Sequence, residues 1–131
     1  MILVDTSVWI DYFNGLDTWQ ANRLDWLLSN EEIVIADLIL AETLAGLQRK
    51  KDYRMADHYL YELECVELGG KEMAQKAVEL HRTLRDNGVS VRKTVDLFIA
   101  AWCLEHDAEL LHNEEEFERI SKVVPLRVMQ A

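Results

Sequence analysis

One proline, five glycines and two cysteines are all that this 131-residue chain holds of those three residue types. So little proline and glycine excludes a collagen-like chain, a flexible linker or a low-complexity tail, which need those residues throughout. Cys65 and Cys103 form no Cys-x-x-Cys pair and no cluster with histidine. That argues against a disulfide-built scaffold and against a zinc site. Both cysteines lie in apolar surroundings and are expected to be buried free thiols in a reducing, cytoplasmic compartment. No apolar run is long enough to span a bilayer, so no membrane association is expected. No basic start followed by an apolar stretch and small residues is present, so no signal peptide is expected. Positive charge is scarce as well. Fourteen Lys and Arg stand against 24 Asp and Glu, a formal net charge of −10. Loose, sequence-blind binding to nucleic acid depends on neutralising phosphates, and this composition is poor for it.

What the chain does contain is apolar residues, half of the total. At this length that predicts one domain, residues 1–131, with a substantial core. Ile2-Leu3-Val4 is a short β-branched-rich run that reads as a buried strand. A helix follows over 6–13, and Asn14-Gly15 marks a turn. A helix over 17–29 carries Trp19 and Trp26 on one stripe. Ile33-Val34-Ile35-Ala36 is a second strand, and Asp37 is placed to cap a helix over 38–50. Further expectations are a helix over 52–63, a short strand at 65–68, a helix over 71–86 closed by Asn87-Gly88, and an apolar helix from Thr94 to about 105. A strand at 109–112, a short helix at 114–120 and a last strand at 126–129 complete the chain. Strands alternating with helices predict an α/β fold. A central, mainly parallel sheet of four to five strands has helices on both faces.

Four acidic elements then stand out. Asp5 ends the first strand and opens a helix, the corner at which ligands bind in open α/β sheets. Glu42 is the one charge within the run 38–47, so it either sits on an exposed stripe or faces a partner or metal. Asp96 opens a helix apolar nearly all round. It complements the helix dipole or serves as a ligand. Glu114, Glu115 and Glu116 follow the strand at 109–112, and three glutamates in a row are ordinarily a solvated helix start. Together the four segments bring acids toward one edge of a parallel sheet. Like charges so gathered repel unless a cation holds them. Oxygen ligands without His or Cys select a hard cation, Mg²⁺ or Mn²⁺, and such sites serve phosphoryl chemistry.

The segments MILVDTSVWIDYF, AETLAGL, TVDLFIAAWCLEHDAELLHN and EEFERI, in that order, resemble the PIN-domain ribonucleases. Among these they are most similar to the VapC toxins of toxin–antitoxin pairs. The resemblance runs from residue 1 to about 120. It implies a PIN-like parallel sheet and an acidic pocket for Mg²⁺ or Mn²⁺. It also implies a metal-dependent endoribonuclease acting on a specific structured RNA of the tRNA or rRNA class. By motif, Asp5, Glu42 and Asp96 correspond to the metal-binding and catalytic acids. The fourth acid falls on Glu114, with Glu116 as second choice. The family commonly has aspartates at these last two places. Thr6, Ser7 and Asn113 correspond to residues that hydrogen-bond the metal-holding groups. A VapB-type antitoxin and a homodimer are implied as partners, RNA as substrate, and the cytoplasm as location.

The bases are few and grouped at Arg49-Lys50-Lys51, Arg54, Arg82, Arg85 and Arg92-Lys93. Those at 49–51 read as ordinary helix-end charges. Arg92 and Lys93 lie just before Asp96 and are expected to contact substrate. Two other acidic α/β classes fit poorly. An aspartyl-phosphate phosphatase needs a second Asp where Ser7 stands, and a receiver domain wants an acidic pair where Asp5 is followed by Thr6. A non-catalytic PIN-like binding module is the alternative from a different class, supported by the glutamates at 114 and 116.

Overall fold

The computed structural model describes residues 1–131. Five strands form one sheet in the order β3-β2-β1-β4-β5. They are β1 (Ile2–Val4), β2 (Ile33–Ala36), β3 (Glu64–Val66), β4 (Glu109–Leu111) and β5 (Arg127–Val128), and every pairing is parallel. The strands are short because each needs only to cross the core once. β1 and β2 are buried at every residue. A continuous apolar run, not an alternating one, is what a parallel strand covered on both faces requires.

Seven helices supply the cover: α1 (Thr6–Phe13), α2 (Trp19–Asn30), α3 (Asp37–Gly46), α4 (Lys50–Tyr61), α5 (Lys71–Asp86), α6 (Thr94–His106) and α7 (Glu115–Ser121). α6 buries Asp96, Leu97 and Ile99 through Cys103, so its apolar circumference is that of a central helix. α5 buries only Ala77, Leu80 and Leu84, one stripe at helical spacing, and lies on the outside of α6. Gly88 follows α5 at a φ of +80°, a conformation that side chains with a Cβ resist. One apolar cluster of 32 buried residues joins both faces of the sheet, with Trp9 and Phe117 among its largest fully enclosed members.

The element order agrees with the pattern of apolar runs, with local corrections. The expected helix over 38–50 ends at Gly46, and α4 begins at Lys50 rather than 52. Asp37 is not the cap. Ala36 occupies that position, and Asp37 is the first helical residue. Its Oδ1 accepts the N–H groups of Leu38 at 2.8 Å and Leu68 at 2.9 Å, tying the start of α3 to the chain after β3. Cys103 is buried as expected, but Cys65 is exposed. β3 is one of the sheet's two edge strands, paired only with β2, so one side of it is left without a neighbouring strand. Trp9 and Trp102 are core residues, whereas Trp26 is 55% exposed. No helix is long and apolar enough to cross a membrane.

Candidate active site

The strand order reverses direction around β1, which has β2 on one side and β4 on the other. The crevice at such a reversal, beyond the carboxyl ends of the strands, is where open parallel sheets bind ligands. β1 delivers Asp5 to it and β4 delivers the segment from His112 to Glu114. The backbone N–H of Asp5 still bonds the carbonyl of Leu111, at 2.9 Å, so the two strand ends are held in register where the acids begin.

Asp5 is 3% exposed and caps α1. Its Oδ2 accepts the Ser7 hydroxyl at 2.7 Å and the Ser7 N–H at 3.3 Å. Burial pushes its pKa up to about 6, the Ser7 hydroxyl opposes that rise, and the charge of Glu114 adds to it. Ser7 Oγ in turn accepts the backbone N–H of Asn113 at 3.2 Å, so one hydroxyl links the ends of β1 and β4. Asn113 Nδ2 donates to Asp11 at 2.9 Å, and its Oδ1 accepts from Gln20 at 3.3 Å. The expected supporting residues Ser7 and Asn113 thus meet each other. Thr6 serves a different member of the expected acid set, donating to Glu42 at 2.8 Å.

Asp96 sits in the first turn of α6, 4% exposed. Its Oδ2 is buried with no hydrogen-bond partner. Burial is the main reason its pKa rises to about 8. A proton shared with Glu116 and the charges of Asp5, Glu114 and Glu116 push the same way. Asp96, Glu114 and Glu116 each present an oxygen within 4.8 Å of the others. Glu42 is outside this trio, and so is Asp5, although Asp5 lies close enough for its charge to add to the rise at Asp96.

Glu116 Oε1 accepts the backbone N–H of Arg92 at 3.0 Å, so the loop before α6 is fastened to α7. Lys93 Nζ lies 3.5 Å from Glu114 Oε1. The Arg92 side chain is exposed and free for another partner. Arg49, by contrast, pairs with Asp52 at 2.7 Å and stands at the start of α4, so it is not the base at a helix C-terminus that the sequence suggests.

His112 has a role that its sequence context did not disclose. It is 5% exposed, and its Nδ1 accepts the N–H of Glu114 at 3.0 Å. That bond requires the proton of the neutral ring to lie on Nε2, which faces Glu118 Oε1 at 3.2 Å. Burial lowers the His112 pKa, in keeping with a neutral ring. His112 therefore fixes the backbone from which the Glu114 side chain springs. A lone histidine closing a buried strand was the one available signal.

A cleft of about 780 Å³ lies elsewhere. Met1, Ile2 and Glu109 line it, so it opens at the amino ends of β1 and β4.

A parallel sheet with an all-carboxylate pocket at its carboxyl edge defines a class of α/β domain suited to a hard cation. The chain belongs to the PIN-domain family, whose model matches residues 2–123. It is 28% identical over 129 residues to Ribonuclease VapC11 of Mycobacterium tuberculosis, covering 97% of this chain and 96% of that one. It is 27% identical over 127 residues to Ribonuclease VapC2 of Rickettsia felis, covering 93% of each. Among solved structures, VapBC2 from Rickettsia felis bound to a promoter DNA fragment superposes with a TM-score of 0.75. That match has 24% identity and covers 98% of each chain.

Proposed function

We propose that this protein is a metal-dependent endoribonuclease and the toxin of a toxin–antitoxin pair, active in the cytoplasm. The observation that carries the reading is the meeting of Asp96, Glu114 and Glu116 around a buried, unpartnered carboxylate oxygen, in a PIN-domain chain. An orphaned buried oxygen costs free energy unless something absent satisfies it. The donor set is oxygen only, so Mg²⁺ or Mn²⁺ fits it and zinc does not. The relatives named as VapC ribonucleases support the activity, and the likeness to a VapBC complex supports a VapB-type antitoxin as partner. A homodimer follows the same family resemblance.

Asp5, Asp96 and Glu114 would hold the cation, with Glu116 beside them and Glu42 at the margin through Thr6. Bound there, Mg²⁺ or Mn²⁺ supplies positive charge at a phosphoryl oxygen and acidifies water. Glu114 or Glu42 would orient the attacking water and take its proton as it adds in line to phosphorus; the P–O3′ bond breaks and the 3′ oxygen leaves as a hydroxyl, protonated from solvent. Glutamate at 114 and 116 is one methylene longer than aspartate. The Glu114 N–H donated to His112 Nδ1 fixes the backbone of one, and the Arg92 N–H donated to Glu116 Oε1 holds the carboxylate of the other. Arg92 and Lys93 then meet the RNA phosphates.

Purified, antitoxin-free protein is expected to cut total cellular RNA into discrete fragments with Mg²⁺ or Mn²⁺, and to stop in EDTA. Intact RNA under every metal condition would favour the non-catalytic binding module instead. The doubly reversed variant Arg92→Glu, Lys93→Glu should weaken RNA binding at least tenfold and flatten its salt dependence by about one to two charges. Unchanged affinity and slope would remove both residues from substrate contact.

A further inference from the structure

Lys93 is the only Lys or Arg whose side chain forms an ion pair with a member of the acid trio. Its ammonium is 3.5 Å from Glu114 Oε1, while the lysine side chain as a whole is 62% exposed and anchored by nothing else. α6 begins one residue later, and Asp96 N–H bonds the Lys93 carbonyl at 3.1 Å. The backbone of Lys93 is thus built into the site and its charge is on a long, mobile arm. An ammonium on such an arm can occupy one of two places, against Glu114 or out toward solvent.

We infer that Lys93 is the site's resident counter-ion: it pairs with Glu114 when no metal is bound, and metal loading releases it to hold an RNA phosphate. The inference rests on the metal-site reading above and extends it. A divalent ion and an ammonium both held close to Glu114 would repel one another. A divalent ion brings twice the charge of an ammonium and can touch several carboxylates at once, so it displaces Lys93 from Glu114. The freed arm, still tethered beside Asp96, then lies next to the place where a phosphate meets the metal. Metal therefore strengthens RNA binding in two ways, by its own charge and by liberating Lys93. By linkage, RNA strengthens metal binding by the same factor.

Removing a basic residue from the RNA-binding edge must improve the binding of metal. Mn²⁺ titrations by calorimetry, without RNA, on the full-length protein, Lys93→Met and Asp96→Asn test it. Lys93 is exposed, so Lys93→Met is expected to fold like the parent, which circular dichroism checks. Lys93→Met should bind Mn²⁺ about three- to tenfold more tightly than the parent, the range expected for removing one partly screened positive charge beside the ion. Asp96→Asn should bind it at least tenfold more weakly. Equal or weaker binding by Lys93→Met, with the parent and Asp96→Asn behaving as stated, overturns the role of Lys93 and leaves the metal site standing. Absence of Mn²⁺ binding by both the parent and Lys93→Met overturns the metal site and Lys93 together.

Discussion

Asp96→Asn is expected to abolish RNA cleavage and, in the absence of metal, to make the protein more stable. The first effect follows from its place at the centre of the carboxylate trio. Cationic stabilisation of a phosphoryl transition state is worth several kcal/mol, so losing the buried ligand charge should lower the rate by about 10²–10⁴. The second effect follows from the cost of that charge in the folded protein. Asp96 is 4% exposed, one of its oxygens has no partner, and three acids surround it. Asparagine has nearly the same shape, carries no charge, and can donate its amide hydrogens to Glu114 or Glu116. Relief of about 1–2 kcal/mol is a reasonable scale for one unsatisfied buried group, and in a domain of this size it raises Tm by several degrees. Calorimetric melting in EDTA, beside a cleavage assay in Mn²⁺, reads both. A variant that cleaves at the parent rate would remove Asp96 from the active site. A variant that loses activity and also melts lower would make Asp96 a structural residue.

The metal-free protein should also lose stability as pH rises from about 4 to 8, the reverse of ordinary acid denaturation. Asp5 and Asp96 have their pKa values raised on folding, to about 6 and about 8, from an ordinary 3.8. Between these limits the folded state binds more protons than the unfolded chain. Stability therefore falls as pH rises, fully retained below the unfolded value and lost through the folded ones. The scale is a few kcal/mol over the interval. His112 opposes it, because its lowered pKa means that the unfolded chain takes up a proton first as pH falls. That opposing effect comes from one group and is confined to the region near and below pH 6.5. The net expectation is a Tm that declines by several degrees from pH 6.5 to 8.5 in EDTA. Saturating Mn²⁺ should flatten or invert the decline, since the ion binds the deprotonated carboxylates and stabilises the fold that holds them. A Tm that is level across this range in EDTA, in parent and Asp96→Asn alike, would mean that these carboxyls are not charged at a cost.

Much of this architecture is legible in the residues. β1 and β2 are apolar at every position because parallel strands are covered twice, and that pattern is visible without coordinates. α6 announces itself in the same way, and the acids at the ends of these runs mark the edge at which they gather. Other features depend on what is brought from afar. The break between α3 and α4 has no proline or asparagine to mark it, and Leu47 remains buried across it. Asp37 looks like a cap until Leu68, thirty-one residues on, supplies the N–H that claims it. Cys65 is apolar in context but lies on an edge strand, and strand order is not written locally. The glutamates at 114 and 116 are the hardest case. A run of three acids before a short helix is ordinarily solvated, and it takes His112 on the Glu114 backbone, Lys93 beside the Glu114 carboxylate and Arg92 on Glu116 to hold two of them at the site.

The chemistry of the cut ends distinguishes a metal-activated water from the RNA's own 2′-hydroxyl as the nucleophile. Water activated at a carboxylate-held cation leaves a 5′-phosphate and a 3′-hydroxyl. Attack by the RNA's own 2′-hydroxyl, which needs no metal, leaves a 5′-hydroxyl and a cyclic phosphate. Fragments made by the purified protein in Mn²⁺ can be treated with a 5′-phosphate-dependent exonuclease. Complete degradation of the fragments downstream of each cut, with no fragments formed in EDTA, is expected of a metal-dependent hydrolase. Resistant fragments with 5′-hydroxyl ends, formed equally well in EDTA, would contradict it.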